Sequence, residues 1–289
     1  MDKANLNYQK NGDDASVSPL TKFAYLGGDG FISKLEYLSS IAEQENWYYD
    51  WPKARNETYK KYGVLFQYIH HTFARAQDEG KIAENSECAV MNTGLFTPNG
   101  EEIYALFVPN ALYGQKPGVQ KWFLSSFYKE SSHDIPTSIR NQLPAYVDYF
   151  ADCPHDMYFD TTLKMFINID HILDEHFERL PDSIKIYDRQ VLTMLLGSAE
   201  TLMRRKISRN NRLVVPQYYN RKIMYLAPLQ IANDIVPLAI EKIADTYRVN
   251  TILSHGMAYC NARLLMKPES NWLTNDFSKK KTIKEPSIF

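Results

Sequence analysis

Cysteine is scarce in this sequence. Cys88, Cys153 and Cys260 stand far apart in 289 residues and form no C-x-x-C pair, which excludes a disulfide framework and a cysteine-built zinc site. Long apolar runs are missing too. Nothing approaches the ~20 residues that a bilayer-spanning helix requires, and Met1-Asp2-Lys3-Ala4-Asn5 does not lead from basic residues into the apolar stretch of an export signal. A reducing, cytoplasmic setting without a membrane partner is expected. Glycine is sparse, and its one cluster, Gly27-Gly28-Asp29-Gly30, is neither a dinucleotide fingerprint nor a phosphate-cradling P-loop. H-E-x-x-H and G-x-S-x-G are absent. Net charge is nearly absent as well, at -1, so no global attraction to nucleic acid or to a membrane surface follows.

What is present suffices for a core. Hydrophobic residues form 44% and charged residues 23% of the chain, proportions that exclude wholesale disorder. Residues 1–20 are polar and read as a flexible leader, 21–273 as a single globular domain, and 274–289, with Lys279-Lys280-Lys281, as a basic flexible tail.

Apolar positions at helical spacing recur from Phe31 to Ala42 and from Val64 to Phe73, the second series stopping near Gly80. The period then shortens. Cys88 to Phe96 and Glu102 to Val108 read as strands joined at Thr97-Pro98-Asn99-Gly100, and Trp122 to Ser126 as a third. A proline-broken stretch follows, then helices over Thr162 to Leu180 and Asp188 to Ser208. Strands are expected over Arg212 to Tyr219, Lys222 to Leu229 and Ile235 to Ile243. Pro216, Pro228 and Pro237 would place them at edges or bulges. A last helix covers Thr251 to Met266. This order, without strict β-α-β alternation, predicts an α+β fold in which a largely antiparallel sheet packs against several helices.

Charge is unevenly distributed along the chain. Between Thr201 and Asn233 there is no Asp or Glu, whereas Arg204, Arg205, Lys206, Arg209, Arg212, Arg221 and Lys222 supply seven positive charges. Set against a total of -1, these seven leave -8 for the rest. Arginine forks donate paired hydrogen bonds to phosphate, and the interleaved Tyr218, Tyr219 and Tyr225 offer faces on which a base stacks. The competing structural explanation is that Arg204, Arg205, Lys206 and Arg209 complement the dipole at a helix carboxyl end.

Other candidates are weaker. Asn92-Thr93-Gly94 interrupts an apolar strand and reads first as a bulge. Asp170 and His176 border the apolar face of the Thr162 helix, with His171 further out. Asp170 and His171 are the candidates for proton transfer, although a structural hydrogen bond accounts for such positions equally well. His70, His71, His133-Asp134 and His155-Asp156 would need helices to present them as metal ligands, and the two His-Asp dipeptides lie in loop sequence. No metal and no cofactor is assigned.

The phrases Lys81-Ile82, Asn92-Thr93-Gly94-Leu95, Asp170-His171-Ile172, Val215-Pro216-Gln217-Tyr218-Tyr219 and Met257-Ala258-Tyr259-Cys260-Asn261-Ala262-Arg263-Leu264-Leu265 together resemble the domain of unknown function 3825 family, over roughly residues 31–273. Members of that family are sometimes joined to RNA-binding modules such as cold-shock domains, so the resemblance implies an RNA setting without specifying an activity. It also makes Asn92, Asp170, Gln217, Tyr218, Asn261 and Arg263 the positions whose convergence on one pocket matters most. The chain departs from the family's pattern at Gly256, where an acidic residue is expected, and at Cys260, where asparagine is expected.

Three functions are therefore expected, in this order. The first is binding of RNA or a phosphate-bearing nucleotide through Arg204, Arg205, Arg209, Arg212 and Arg221 with Gln217, Tyr218, Tyr219, Asn92, Asn261 and Arg263. The second is an enzyme acting on a nucleotide or RNA end through Asp170 or His171. The third is a non-catalytic scaffold docking a protein partner.

Overall fold

A computed structural model describes residues 18–50, 56–152, 154–220 and 222–274. The expected leader and tail lie largely outside the described residues, as does Arg221. The chain divides into two compact units, Met1–Pro154 and His155–Phe289. Each is built on its own five-stranded sheet. The fold is α+β with mainly antiparallel pairing, as the order of elements predicts, and the pairing is divided between two sheets.

In the first unit, short helix α1 (Pro19–Phe23) runs into β1 (Ala24–Tyr25), followed by α2 (Gly30–Ile41), α3 (Glu57–Lys61) and α4 (Gly63–Asp78). Phe31, Ile32, Leu35 and Leu38 recur at helical spacing and are buried, as are Val64, Leu65, Tyr68, Ile69 and Phe73 on α4. Gly80, at φ +65°, ends α4 in the left-handed region, so that the Lys81 amide reaches the Ala76 carbonyl at 2.7 Å. Strands β2 (Ile82–Glu84), β3 (Ala89–Phe96), β4 (Glu102–Pro109) and β5 (Trp122–Lys129) complete the sheet in the order β1-β5-β4-β3-β2, with β1 parallel to β5. Two single-turn helices follow, α5 (Thr137–Arg140) and α6 (Tyr149–Asp152).

The second unit begins differently from the sequence expectation. The helix expected from Thr162 is β6 (Lys164–Ile167) followed by α7 (Ile169–Glu175). Met165 is buried while Lys164 and Phe166 are exposed, a period-two pattern too short to outweigh the helical spacing around it. Asn168 caps α7 by accepting from the His171 amide at 3.1 Å. After α8 (Asp182–Lys185) comes α9 (Arg189–Ile207), capped by Asp188, with Leu192, Leu196, Ala199, Met203 and Ile207 along its buried face.

Strands β7 (Val215–Tyr219), β8 (Lys222–Ile231), β9 (Asp234–Ile243) and β10 (Thr246–Ile252) follow, giving the order β6-β10-β9-β8-β7. Sequence reading missed β10 and began the last helix too early: α10 spans His255–Arg263, capped by Ser254, before α11 (Asn271–Thr274). The β-branched run of β10 gains its structure from pairing with β9 and, in parallel, with β6, a contact no local period reveals.

Pro216 lies on the edge strand β7, as expected, but Pro228 and Pro237 lie opposite each other on the interior strands β8 and β9. The Pro237 carbonyl accepts from Leu253, beyond the end of β10, at 2.9 Å. The pair is thus of the kind whose backbone groups point away from each other, and neither ring deletes a β8–β9 ladder bond.

Candidate nucleic-acid interface

The basic segment occupies the carboxyl end of α9 and the turn after it. Arg204 is not available to a ligand: Nε and Nη2 donate to Glu200 Oε1 at 2.8 and 2.5 Å, and Nη2 also reaches the Met165 carbonyl at 2.5 Å. Arg205, Arg209 and Arg212 are exposed. Arg209 Nη1 donates to the Arg205 carbonyl at 2.9 Å, and Lys206 Nζ to Gln230 Oε1 at 2.9 Å. Among the described residues, no carboxylate lies within ion-pair distance of Arg205, Lys206, Arg209 or Arg212. The Arg209 contact satisfies one of the orphan carbonyls of the last turn, so part of the cluster serves the helix end. Arg212, beyond the helix in the turn Asn211–Leu213, has no such use.

Tyr218 and Tyr219 do not join these arginines in one bay. Being consecutive on β7 they face opposite sides of the sheet, Tyr218 half-buried and Tyr219 exposed. The length of β7, roughly 15 Å, lies between Arg212 and Tyr219. Tyr225 belongs to the core, packed edge-on to Phe159 and Tyr247. Alternation of arginine and tyrosine along the sequence is therefore not alternation in space.

Gln217 and Asn261, from two separate phrases of the resemblance, do meet. Asn261 Nδ2 donates to Gln217 Oε1 at 3.0 Å, joining α10 to β7, and the two side chains are only 8% and 1% exposed. Arg263 is buried on the same helix. The Gln217–Asn261 bond is thus a buried polar tie between α10 and β7. Neighbouring Cys260 is an inert thiol, burial pushing its pKa up to about 12.

Asp170 is exposed on α7 and accepts from Arg189 Nη2 at 3.1 Å; the same guanidinium reaches Asp174 Oδ1 at 2.5 Å. Arg189 opens α9 and Arg204 stands fifteen residues later, ~22 Å along the axis. The structure thus holds Asp170 at the opposite end of α9 from the basic cluster. His171 lies edge-on to His176, ring centroids 5.5 Å apart. The expected site joining Asp170 or His171 to the arginines is not assembled.

Asn92 belongs to the first unit, where its hydrogen-bonding capacity is used by β3, β4 and the loop at Pro144. Its Nδ2 donates to Glu102 Oε2 at 3.0 Å and to the Pro144 carbonyl at 3.3 Å, while Oδ1 accepts from the Gly94 amide at 2.9 Å. The β3–β4 register shifts between Asn92 and Phe96, so these residues form a bulge. His70 and His71 are buried on α4, bonded to Ser18 Oγ at 2.7 Å and to the Tyr149 hydroxyl respectively. Burial lowers both pKa values to about 4. Among the described residues, no group of three His, Cys, Asp or Glu side chains is placed to hold a metal ion, and no helix is long and apolar enough to cross a membrane.

With the geometry in hand, comparison with known proteins adds one finding: the model of the family described as Domain of unknown function (DUF3825) matches residues 38–272. The chain belongs to this family. No curated protein and no solved structure matches it. Membership in DUF3825 carries no activity, so function rests on the surfaces of this chain. Sequence reading counts Phe166 among the apolar-face positions of the expected Thr162 helix and passes over Arg248, whereas both are exposed residues of the second sheet. The alternation Lys164-Met165-Phe166-Ile167 was the signal for Phe166.

Proposed function

We propose that this DUF3825 protein binds RNA or a phosphate-bearing nucleotide, with Arg205, Arg209 and Arg212 as its phosphate contacts. One observation carries this reading: these three guanidiniums are exposed and lie near no carboxylate among the described residues, in a chain whose net charge is -1. An acidic molecule that leaves one arginine cluster uncompensated retains a local field that draws in anions. Helix-dipole complementarity favours cations in the last turn, yet it does not call for Arg212 beyond that turn. A fork-shaped donor suits a phosphate better than lysine does. No observation favours the enzymatic reading, since Asp170 is held at the far end of α9.

Filter binding of a single-stranded RNA across a salt series tests this. Binding is expected to weaken steeply with salt, and replacing Arg205, Arg209 and Arg212 together by alanine should lower the log-log slope by about 2, at roughly 0.7 per phosphate contact on a single strand. Absence of RNA and nucleotide binding at low salt would overturn the reading. Retention of an acidic protein partner in that case would assign the cluster to protein docking instead.

A further inference from the structure

The carboxyl-terminal sheet leaves part of one face in solvent, and its pairing register fixes which side chains share that face. Arg248 lies beside Phe166 in the parallel β10–β6 pair and beside Glu241 in the antiparallel β10–β9 pair. Tyr219 lies opposite Lys222 in the β7–β8 pair, and Lys222 Nζ meets Glu241 Oε1 at 3.0 Å. Cross-strand partners point to the same side. The chain neighbours Met165, Tyr247 and Ile240, with Tyr225 three residues on from Lys222, point to the other side, into the core. On the open side α10 covers the sheet around Gln217, leaving free the strand ends that carry Lys164, Phe166, Arg248, Lys222 and Tyr219.

Phe166 is 58% exposed and Tyr219 43%, while Lys164, Arg248 and Lys222 are exposed beside them. A single exposed aromatic needs no explanation. Here there is one at each edge of the sheet, each with a cation as its cross-strand partner. Among the described residues, three cations share the face with one carboxylate, Glu241. β-propensity accounts for aromatic residues in strands, but not for a phenylalanine more than half in water.

We infer that this face is a stacking platform for single-stranded nucleic acid. Phe166 and Tyr219 each take a base; Arg248 holds the phosphate beside Phe166, and Lys222, exposed despite its ion pair, exchanges Glu241 for the phosphate beside Tyr219. Four strand spacings, ~19 Å, separate the two rings, so a short run of nucleotides crosses the sheet from edge to edge. The inference rests on the RNA-binding reading and adds the ligand class: unpaired bases present their faces to side chains, whereas those of a duplex are stacked inside it. Glu241, between the two bays, repels the phosphodiester chain and limits affinity.

The test is fluorescence anisotropy of the full chain with a short labelled oligouridine, its deoxy counterpart and a duplex RNA. Phe166→Ala and Tyr219→Ala are each expected to weaken single-strand binding roughly 5- to 100-fold, equally for the deoxy strand because base faces are read. Duplex binding and the thermal melt stay unchanged, since both rings are already in solvent. Glu241→Gln is expected to tighten single-strand binding several-fold. If both aromatic variants bind oligouridine like the wild type while the triple alanine variant at Arg205, Arg209 and Arg212 loses it, the platform is overturned and the RNA reading stands. If the wild type binds no nucleic acid at low salt, both fall.

Discussion

Gly94 is the position at which a single methyl group should do most damage to the amino-terminal sheet. It sits in the bulge of β3 at φ +68°, and an added Cβ would come within 2.8 Å of the Tyr68 hydroxyl. That hydroxyl donates to the Thr93 carbonyl at 2.9 Å inside the core. Gly94→Ala therefore combines two costs. Holding a residue with a Cβ in the left-handed region costs about 1 kcal/mol. Displacing Tyr68 breaks a buried hydrogen bond and strands its acceptor, at about 1–3 kcal/mol. The expected loss is about 2–4 kcal/mol. Gly100, in the adjoining hairpin at φ +80° with nothing within 4 Å of a built Cβ, supplies the control: Gly100→Ala should cost about 1 kcal/mol from the backbone alone. Urea denaturation gives both values, and a Tyr68→Phe background completes a double-mutant cycle. With the hydroxyl gone, Gly94→Ala should fall to the Gly100→Ala value. Equal losses at the two glycines, with no coupling to Tyr68, would refute the packing account of the bulge.

Two further outcomes follow from buried groups. His70 and His71, with pKa values lowered to about 4 by burial, stay neutral in the folded chain while the unfolded chain binds protons below about 6.5. Stability is thus unaffected by them above pH 6.5 and falls as pH drops from 6.5 toward 4, each histidine withdrawing up to about 3 kcal/mol. His70→Gln should remove about one proton from that slope in denaturant unfolding measured across pH, and an unchanged slope would disprove the assignment. Asn261→Ala strands the buried Gln217 Oε1 and should cost about 1–3 kcal/mol in denaturant unfolding without altering RNA affinity. Lost affinity in a fully folded variant would return Asn261 to the binding site.

What could be read from the sequence follows the range of the interactions involved. α4 and α9 were legible because their buried residues lie within a turn of one another, and the β3–β4 hairpin because Thr97 to Gly100 carries its own turn chemistry. β6 and β10 were not: their parallel pairing joins Lys164–Ile167 to Thr246–Val249 across about eighty residues of chain. The same limit governs the candidate site. The absence of acids from Thr201 to Asn233 was visible at once, but whether acids from outside the segment fold back onto it was not. The Gln217–Asn261 tie was signalled only as two separate phrases. Asp170 could be placed at the margin of an apolar face, but not assigned to Arg189.

Those acids decide how much of the basic segment remains for a ligand. Glu200, just before the segment, takes Arg204, and Glu241, eight residues beyond its end, takes Lys222. The two neutralised cations sit at the ends of the charged run, and between them Arg205, Lys206, Arg209 and Arg212 have no ion-pair partner among the described residues. Surface ion pairs of this kind contribute little stability, so their main effect is on the field: they confine the positive potential to the end of α9. The sheet face extends that logic. Glu241 is ion-paired with Lys222 and stands beside Arg248 in the β10–β9 register, so neutralising it raises the net charge of the face. Charge at the α9 end and aromatic surface on the sheet are thus independently adjustable. Salt dependence should follow the arginines, and discrimination between single strand and duplex should follow Phe166 and Tyr219.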